Sequence, residues 1–79
     1  METHSYFENV RPAKHPEVSR QQAEWVARHP EYEEVQENGR FRRWAYVEDL
    51  NHYVRVIVLP DRETLFNAFI DSGFTPEEV

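Results

Sequence analysis

The stretch Tyr53-Val54-Arg55-Val56-Ile57-Val58-Leu59 constrains the fold of this chain more than any other. Successive side chains of an extended strand point to opposite faces, so Val54, Val56 and Val58 fall on one side and Tyr53, Arg55 and Ile57 on the other. β-Branched residues at this density favour a strand over a helix. The all-valine side needs a cover, and an upstream segment can supply it. Ser19 followed three residues later by Gln22 forms a capping box, and Val18 stands where a hydrophobic staple residue belongs. Pro30 biases His29 away from helical geometry. These signals predict a helix over residues 20–28, with Trp25 and Val26 as its core contacts.

The rest of the chain reads as strands and turns. Residues 32–37 are an expected strand, followed by Asn38-Gly39, a hairpin signal whose two central positions favour positive φ. Residues 40–48, 53–59 and 64–70 are the next strands, separated by turns at Asp49-Leu50-Asn51-His52 and Pro60-Asp61-Arg62-Glu63. Short turns make consecutive strands antiparallel neighbours. The expected architecture is α+β, one principal helix packed on a curved four-stranded antiparallel β-meander, with residues 1–79 as a single domain. Residues 1–18, which carry Pro12 and Pro16, form a lead-in with at most a short strand or turn near residues 6–10. Residues 71–79 form a tail, in which Gly73 supplies a positive φ and Phe74 folds back onto the sheet.

Composition narrows the classes of function. With no cysteine among 79 residues there is neither a disulfide nor a thiolate metal site, so packing of the aromatic residues carries the stability. No two histidines have the i, i+4 spacing of a helical metal site, and two glycines cannot build a phosphate-cradling loop. No metal and no cofactor is expected. The amino-terminal residues are polar and the longest apolar run is Val56-Ile57-Val58-Leu59, so a soluble, cytoplasmic protein with no membrane partner is expected. Nine Lys and Arg against fifteen Asp and Glu give a net charge of −6, which opposes nonspecific nucleic-acid binding. Arg40, Arg42 and Arg43 nevertheless sit together, after Glu31, Glu33, Glu34 and Glu37. Any anion site must be local.

Alternation gathers the candidate site. A four-residue turn after Glu48 would set Tyr46 opposite Arg55, bringing Arg42, Trp44 and Tyr46 to the face of Arg55. An odd-length loop around Pro60 would put Phe66, Ala68 and Ile70 on the valine face and leave Leu65, Asn67 and Phe69 with Arg55; a slip of one residue reverses this. The parity at Asn38-Gly39 is open too, because a strict two-residue loop pairs Val35 with Arg42 instead of Phe41. The open face then holds Arg42, Trp44, Tyr46, Arg55 and Asn67. Arginines interleaved with aromatics can grip phosphates and stack bases. They can equally form a solvated face on which Arg stems cover aromatics and pair with Glu33 or Glu34. A cation at the centre of the best strand requires a partner of some kind. His15, in Lys14-His15-Pro16-Glu17, is a candidate general acid or base, or a loop histidine in solvent.

His15-Pro16-Glu17-Val18, Gly39-Arg40-Phe41-Arg42-Arg43-Trp44, Tyr53 to Leu59, and Phe66-Asn67-Ala68-Phe69 with Asp71 and Phe74 carry a resemblance. Over residues 13–75 the chain resembles a group of small uncharacterised bacterial proteins of cyanobacterial type. More loosely, a helix with a curved antiparallel sheet and an Arg in a central strand is similar to the RelE-like toxin ribonucleases. The looser resemblance implies metal-independent RNA cleavage, in which a 2′-hydroxyl attacks the adjacent phosphate. Under it His15 is the candidate base, Tyr46 orients or stacks, and Arg55 stabilises developing charge. Arg42, Trp44 and Asn67 are the candidate substrate-binding residues, and the implied partners are RNA and an antitoxin. The competing expectation is a non-catalytic module that uses the same face to hold another protein or to form a homodimer, with Trp44 and Tyr46 as anchors.

Overall fold

A computed structural model describes residues 1–10 and 17–76. Its elements in chain order are β1 (Glu2–Thr3), a π-helical turn (Tyr6–Val10), α1 (Arg20–Arg28), β2 (Tyr32–Val35), β3 (Phe41–Val47), β4 (His52–Val58) and β5 (Thr64–Ile70). They form a five-stranded sheet in the order β1-β5-β4-β3-β2.

From β2 to β5 the sheet is the expected antiparallel meander. The expectation of four strands is corrected at the other edge, where β1 pairs with β5 in parallel and makes the sheet mixed. Glu2 N–H donates to the Glu63 carbonyl at 3.0 Å and His4 N–H to that of Leu65 at 2.8 Å. An unpaired sheet edge is a liability, and the first residues of the chain cover this one. A two-residue strand is too short to display alternation, so it left no pattern to read. The π-helical turn that follows buries Phe7 in the core.

Helix α1 has the predicted bounds and the predicted cap. Ser19 Oγ accepts from Gln22 N–H at 3.1 Å, and Gln22 Oε1 accepts from Ser19 N–H at 2.9 Å. Its inward stripe is Ala23, Val26 and Ala27, the i, i+3, i+4 set of one helix face. Two alanines let the helix lie close on the sheet. Trp25 is corrected: it is 48 % exposed, because it stands about 100° around the helix from Val26 and farther from Ala23. Its ring stacks on His29, with centroids 5.5 Å apart. The covered face of the sheet holds Val54, Val56, Val58, Leu65 and Ala68, all fully buried, beside Phe41, Ala45 and Val47.

The turns decide which residues share a face. Gly39 N–H donates to the Gln36 carbonyl at 2.9 Å, and Gln36 N–H to that of Arg40 at 2.8 Å. Gly39 alone takes positive φ there, at 85°, while Asn38 does not, so the loop is longer than a strict two-residue turn and Val35 lies opposite Phe41. Trp44 lies opposite Arg55, and Tyr46 opposite Tyr53. The register thus differs by two residues from a Tyr46–Arg55 pair, and the faces are unchanged. In β5 Ile57 pairs with Asn67 but Val58 with Leu65, so Phe66 is an extra residue in a bulge. A bulge inverts the alternation beyond it. Leu65 therefore belongs to the valine face and Phe66 is released from it, the reverse of the expectation for these two. Phe66 instead lies under the Arg40 guanidinium, 4.1 Å away, and stacks on Tyr6. Among the described residues no helix is long and apolar enough to cross a membrane.

Candidate functional site

The face of the sheet opposite α1 carries Arg42, Trp44 and Tyr46 on β3 and Tyr53, Arg55 and Ile57 on β4. It is less open than alternation alone suggests. After β5 the chain turns back, with Asp71 N–H donating to the Tyr53 carbonyl at 2.9 Å and Phe74 N–H to that of Asp71 at 3.2 Å. Phe74 lies flat on Trp44, centroids 4.7 Å apart at 16°, and meets Tyr53 and Tyr32 at an angle. Trp44 is consequently 4 % exposed, which corrects its expected role as an open anchor.

One carboxylate oxygen organises this face. Asp71 Oδ2 accepts from Trp44 Nε1 at 3.0 Å and from Arg55 Nε at 3.2 Å, with Arg55 Nη2 also 3.2 Å away. The Arg55 guanidinium stands 4.7 Å from the Phe69 ring centroid and 5.7 Å from that of Trp44. The central cation thus has a counter-charge and two aromatic neighbours. Asp71 was missed as that partner, although a signal existed. It lies two residues beyond Phe69, on the parity of Arg55, next to the end of the ladder.

Arg42 Nη1 donates to Glu34 Oε1 at 2.9 Å across the β2–β3 pair. The Gln36 side-chain carbonyl, in its hydrogen-bonded orientation, accepts from Arg42 Nη2 and Nε at 3.1 and 3.3 Å. On the helix side Arg43 Nε donates to Glu33 Oε2 at 2.6 Å and Nη1 to the Ala27 carbonyl at 2.9 Å. The pairing expected on the open face is present between Arg42 and Glu34, while Glu33 pairs with Arg43 on the helix side.

Arg42, Trp44 and Arg55 line one pocket of about 260 Å³ together with Glu34, Asp71 and Phe74. The remaining candidates are elsewhere. Tyr46 is outside this pocket; its hydroxyl donates to Asn51 Oδ1 and its ring meets Tyr53 edge-on. Asn67 Oδ1 accepts from Ala68 N–H at 2.9 Å. His15 lies outside the described residues, and no described histidine lines the pocket. No described group of three or more His, Asp or Glu side chains could hold a metal ion.

A larger groove, of about 670 Å³, runs between α1 and the end of β3. Ser19, Gln21, Gln22 and Trp25 form one wall, Tyr46, Val47, Glu48 and Asp49 the other, with Glu31 beside them. Gln21, Gln22 and Trp25 share a helix face because they are three and four residues apart. Glu31 N–H donates to the Trp44 carbonyl at 2.8 Å and Glu31 Oε2 accepts from Tyr46 N–H at 2.8 Å, which fixes Tyr46 at the rim. Tyr46 is 36 % exposed. Assigning Trp25 to the core hid this groove from the sequence reading. Two of the described carboxyls lie below their usual range, and both are outside these sites. The Met1 amino group holds Glu24 down by hydrogen bonding and charge, helped by Arg20 and Arg28, while the Thr64 hydroxyl and the N–H groups of Glu63 and Thr64 hold Asp61 down. Compared with protein-family models, with curated proteins and with solved structures, the chain matches none.

Proposed function

We propose that this chain is a non-catalytic protein-binding module. The observation that carries this reading is the engagement of Arg55 and Trp44 by a single oxygen of Asp71. RNA cleavage requires the Arg55 guanidinium to meet developing phosphate charge. A phosphate entering the pocket would have to displace Asp71 from Arg55 and Glu34 from Arg42, and would find Trp44 already stacked by Phe74. The net charge of −6 adds a repulsive field against any polyanion. Exposed aromatics favour a protein partner instead: Trp25 projects from a capped helix and Tyr46 from a strand, and rigid aromatics are the usual anchors of protein interfaces.

The test compares two activities. Purified wild type and Arg55→Ala are incubated with cellular RNA at low salt, and RNA integrity is read on a gel. In parallel, a photo-reactive residue at position 46 is compared in cells with one at position 61 on the far turn. Intact RNA in both samples and a discrete polypeptide adduct, a second copy of the chain included, formed from position 46 alone are expected. RNA cleavage by the wild type that Arg55→Ala abolishes would return the chain to the ribonuclease reading.

A further inference from the structure

We propose that the groove between Trp25 and Tyr46 receives a lysine- or arginine-rich segment of a partner protein. This rests on the protein-binding reading and adds the chemistry of the partner. Two exposed aromatic side chains face the same groove, from a helix and from a strand. Aromatic faces attract ammonium and guanidinium groups through the ring quadrupole. The groove is also lined by Glu31, Glu48 and Asp49, and none of the described lining residues is a cation. Glu48 and Asp49 have no ion-pair partner among the described residues, in contrast to Glu24, Glu33, Glu34 and Asp71. On the helix wall the Gln21 side chain supplies an amide for a peptide backbone, while Gln22 has its oxygen held by the Ser19 N–H.

Charge complementarity therefore selects the occupant. An apolar partner would leave Glu48 and Asp49 facing an uncharged surface, and an acidic one would be repelled. A cationic side chain seated between the two rings satisfies both features at once. The field of the whole domain, at −6, further favours approach of a basic segment.

The two tryptophans give the experiment its internal control. The isotope-labelled chain has two indole N–H signals, one from Trp25 and one from Trp44, which is bonded to Asp71 beneath Phe74. Hexalysine and hexaarginine are titrated in, with hexaglutamate as control, at about 50 mM and about 300 mM salt, which bracket strong and weak screening. The Trp25 indole and the amides of Tyr46 to Asp49 are expected to move with the cationic peptides only, while the Trp44 indole stays. High salt should weaken binding, and the double variant Glu48→Gln, Asp49→Asn should weaken it about tenfold, consistent with losing two exposed ion pairs. An equal response to hexaglutamate, undiminished affinity of the double variant, or shifts centred on Glu33 and Glu34 would overturn the proposal. If position 46 still forms its protein adduct while the cationic peptides leave the Trp25 indole unmoved, the basic partner is ruled out and the binding module stands. If a short single-stranded RNA shifts the Arg42 and Arg55 side-chain signals, the module reading falls as well.

Discussion

The two faces of this sheet are covered by different chemistry. Under α1 the centre of the surface is aliphatic, with Val54, Val56, Val58, Leu65 and Ala68 fully buried beside Ala23, Val26 and Ala27, and the Arg43–Glu33 pair lies on the same side. On the other face the cover is the segment 71–74, and the contacts are rings and one ion pair: Phe74 on Trp44, and Asp71 between Trp44 and Arg55. Burial of apolar area is non-directional and tolerates small shifts. The second arrangement depends on where a single oxygen atom sits. One face can therefore be weakened by removing volume, the other by removing a charge.

The largest effect belongs to the face under α1. Leu65→Ala should cost about 2–5 kcal/mol, the range for emptying a fully buried leucine site. That is a large share of the stability of a small domain, and thermal unfolding should lose its sharp transition. A melting curve within a few degrees of the wild type would break the assignment of Leu65 to the core and of the bulge that puts it there. Asp71→Asn comes next. The amide still accepts from the Trp44 N–H, but Arg55 loses its counter-charge. Breaking a fully buried pair costs about 3–5 kcal/mol, and since Arg55 is 26 % and Asp71 15 % exposed at the side chain, about 1–3 kcal/mol is expected in urea unfolding. Arg55→Met in the Asp71→Asn background should restore part of it; no restoration would mean that the charge is not what holds the second face.

Trp25→Ala should cost less than about 1 kcal/mol, since the ring is largely outside the core. A loss comparable to Leu65→Ala would sink the exposed placement of Trp25, and with it the groove. The smallest effect is a pH response at the turn before β5. Asp61 has a folded-state pKa below its ordinary 3.8, so its contribution is present above that value and lost as pH falls through the folded value. Protection of the Thr64 amide, measured against its intrinsic exchange rate at each pH, should fall as pH drops below 3.8, and Asp61→Asn should remove that step. An unchanged profile in Asp61→Asn would assign the response to another carboxylate.

What the sequence disclosed follows from how local each signal is. The capping box at Ser19 and Gln22, the valine alternation and Gly39 act within a few residues, and α1 and the four long strands lie close to where they were expected. Phe74 returns to the sheet as expected, but Gly73 before it does not take the expected positive φ, which among the glycines belongs to Gly39. The signals that failed are set by partners remote in sequence. Glu2 and Thr3 become a strand only because β5 offers an edge. Phe66 and Leu65 exchange sides because of one inserted residue. Trp25 is large and apolar, yet the phase of the helix turns the smaller Ala23 and Ala27 to the core. Of the candidate site, alternation brought Arg42, Trp44 and Arg55 to one pocket, but could not reveal that Asp71 neutralises Arg55. That pairing depends on where the chain goes after β5.

The parallel pairing of β1 with β5 also bears on the order of assembly. During synthesis, Glu2 and Thr3 leave the ribosome long before Thr64 and Leu65, the residues they pair with. The meander from β2 to β5 is built of neighbouring strands and closes through short loops, which makes it fast to form. Glu2 and Thr3 must wait until β5 has emerged, so this segment docks after the meander that follows it in sequence. Until then the outer edge of β5 is bare, and it is in that interval that a nascent copy is most exposed to pairing with a neighbour.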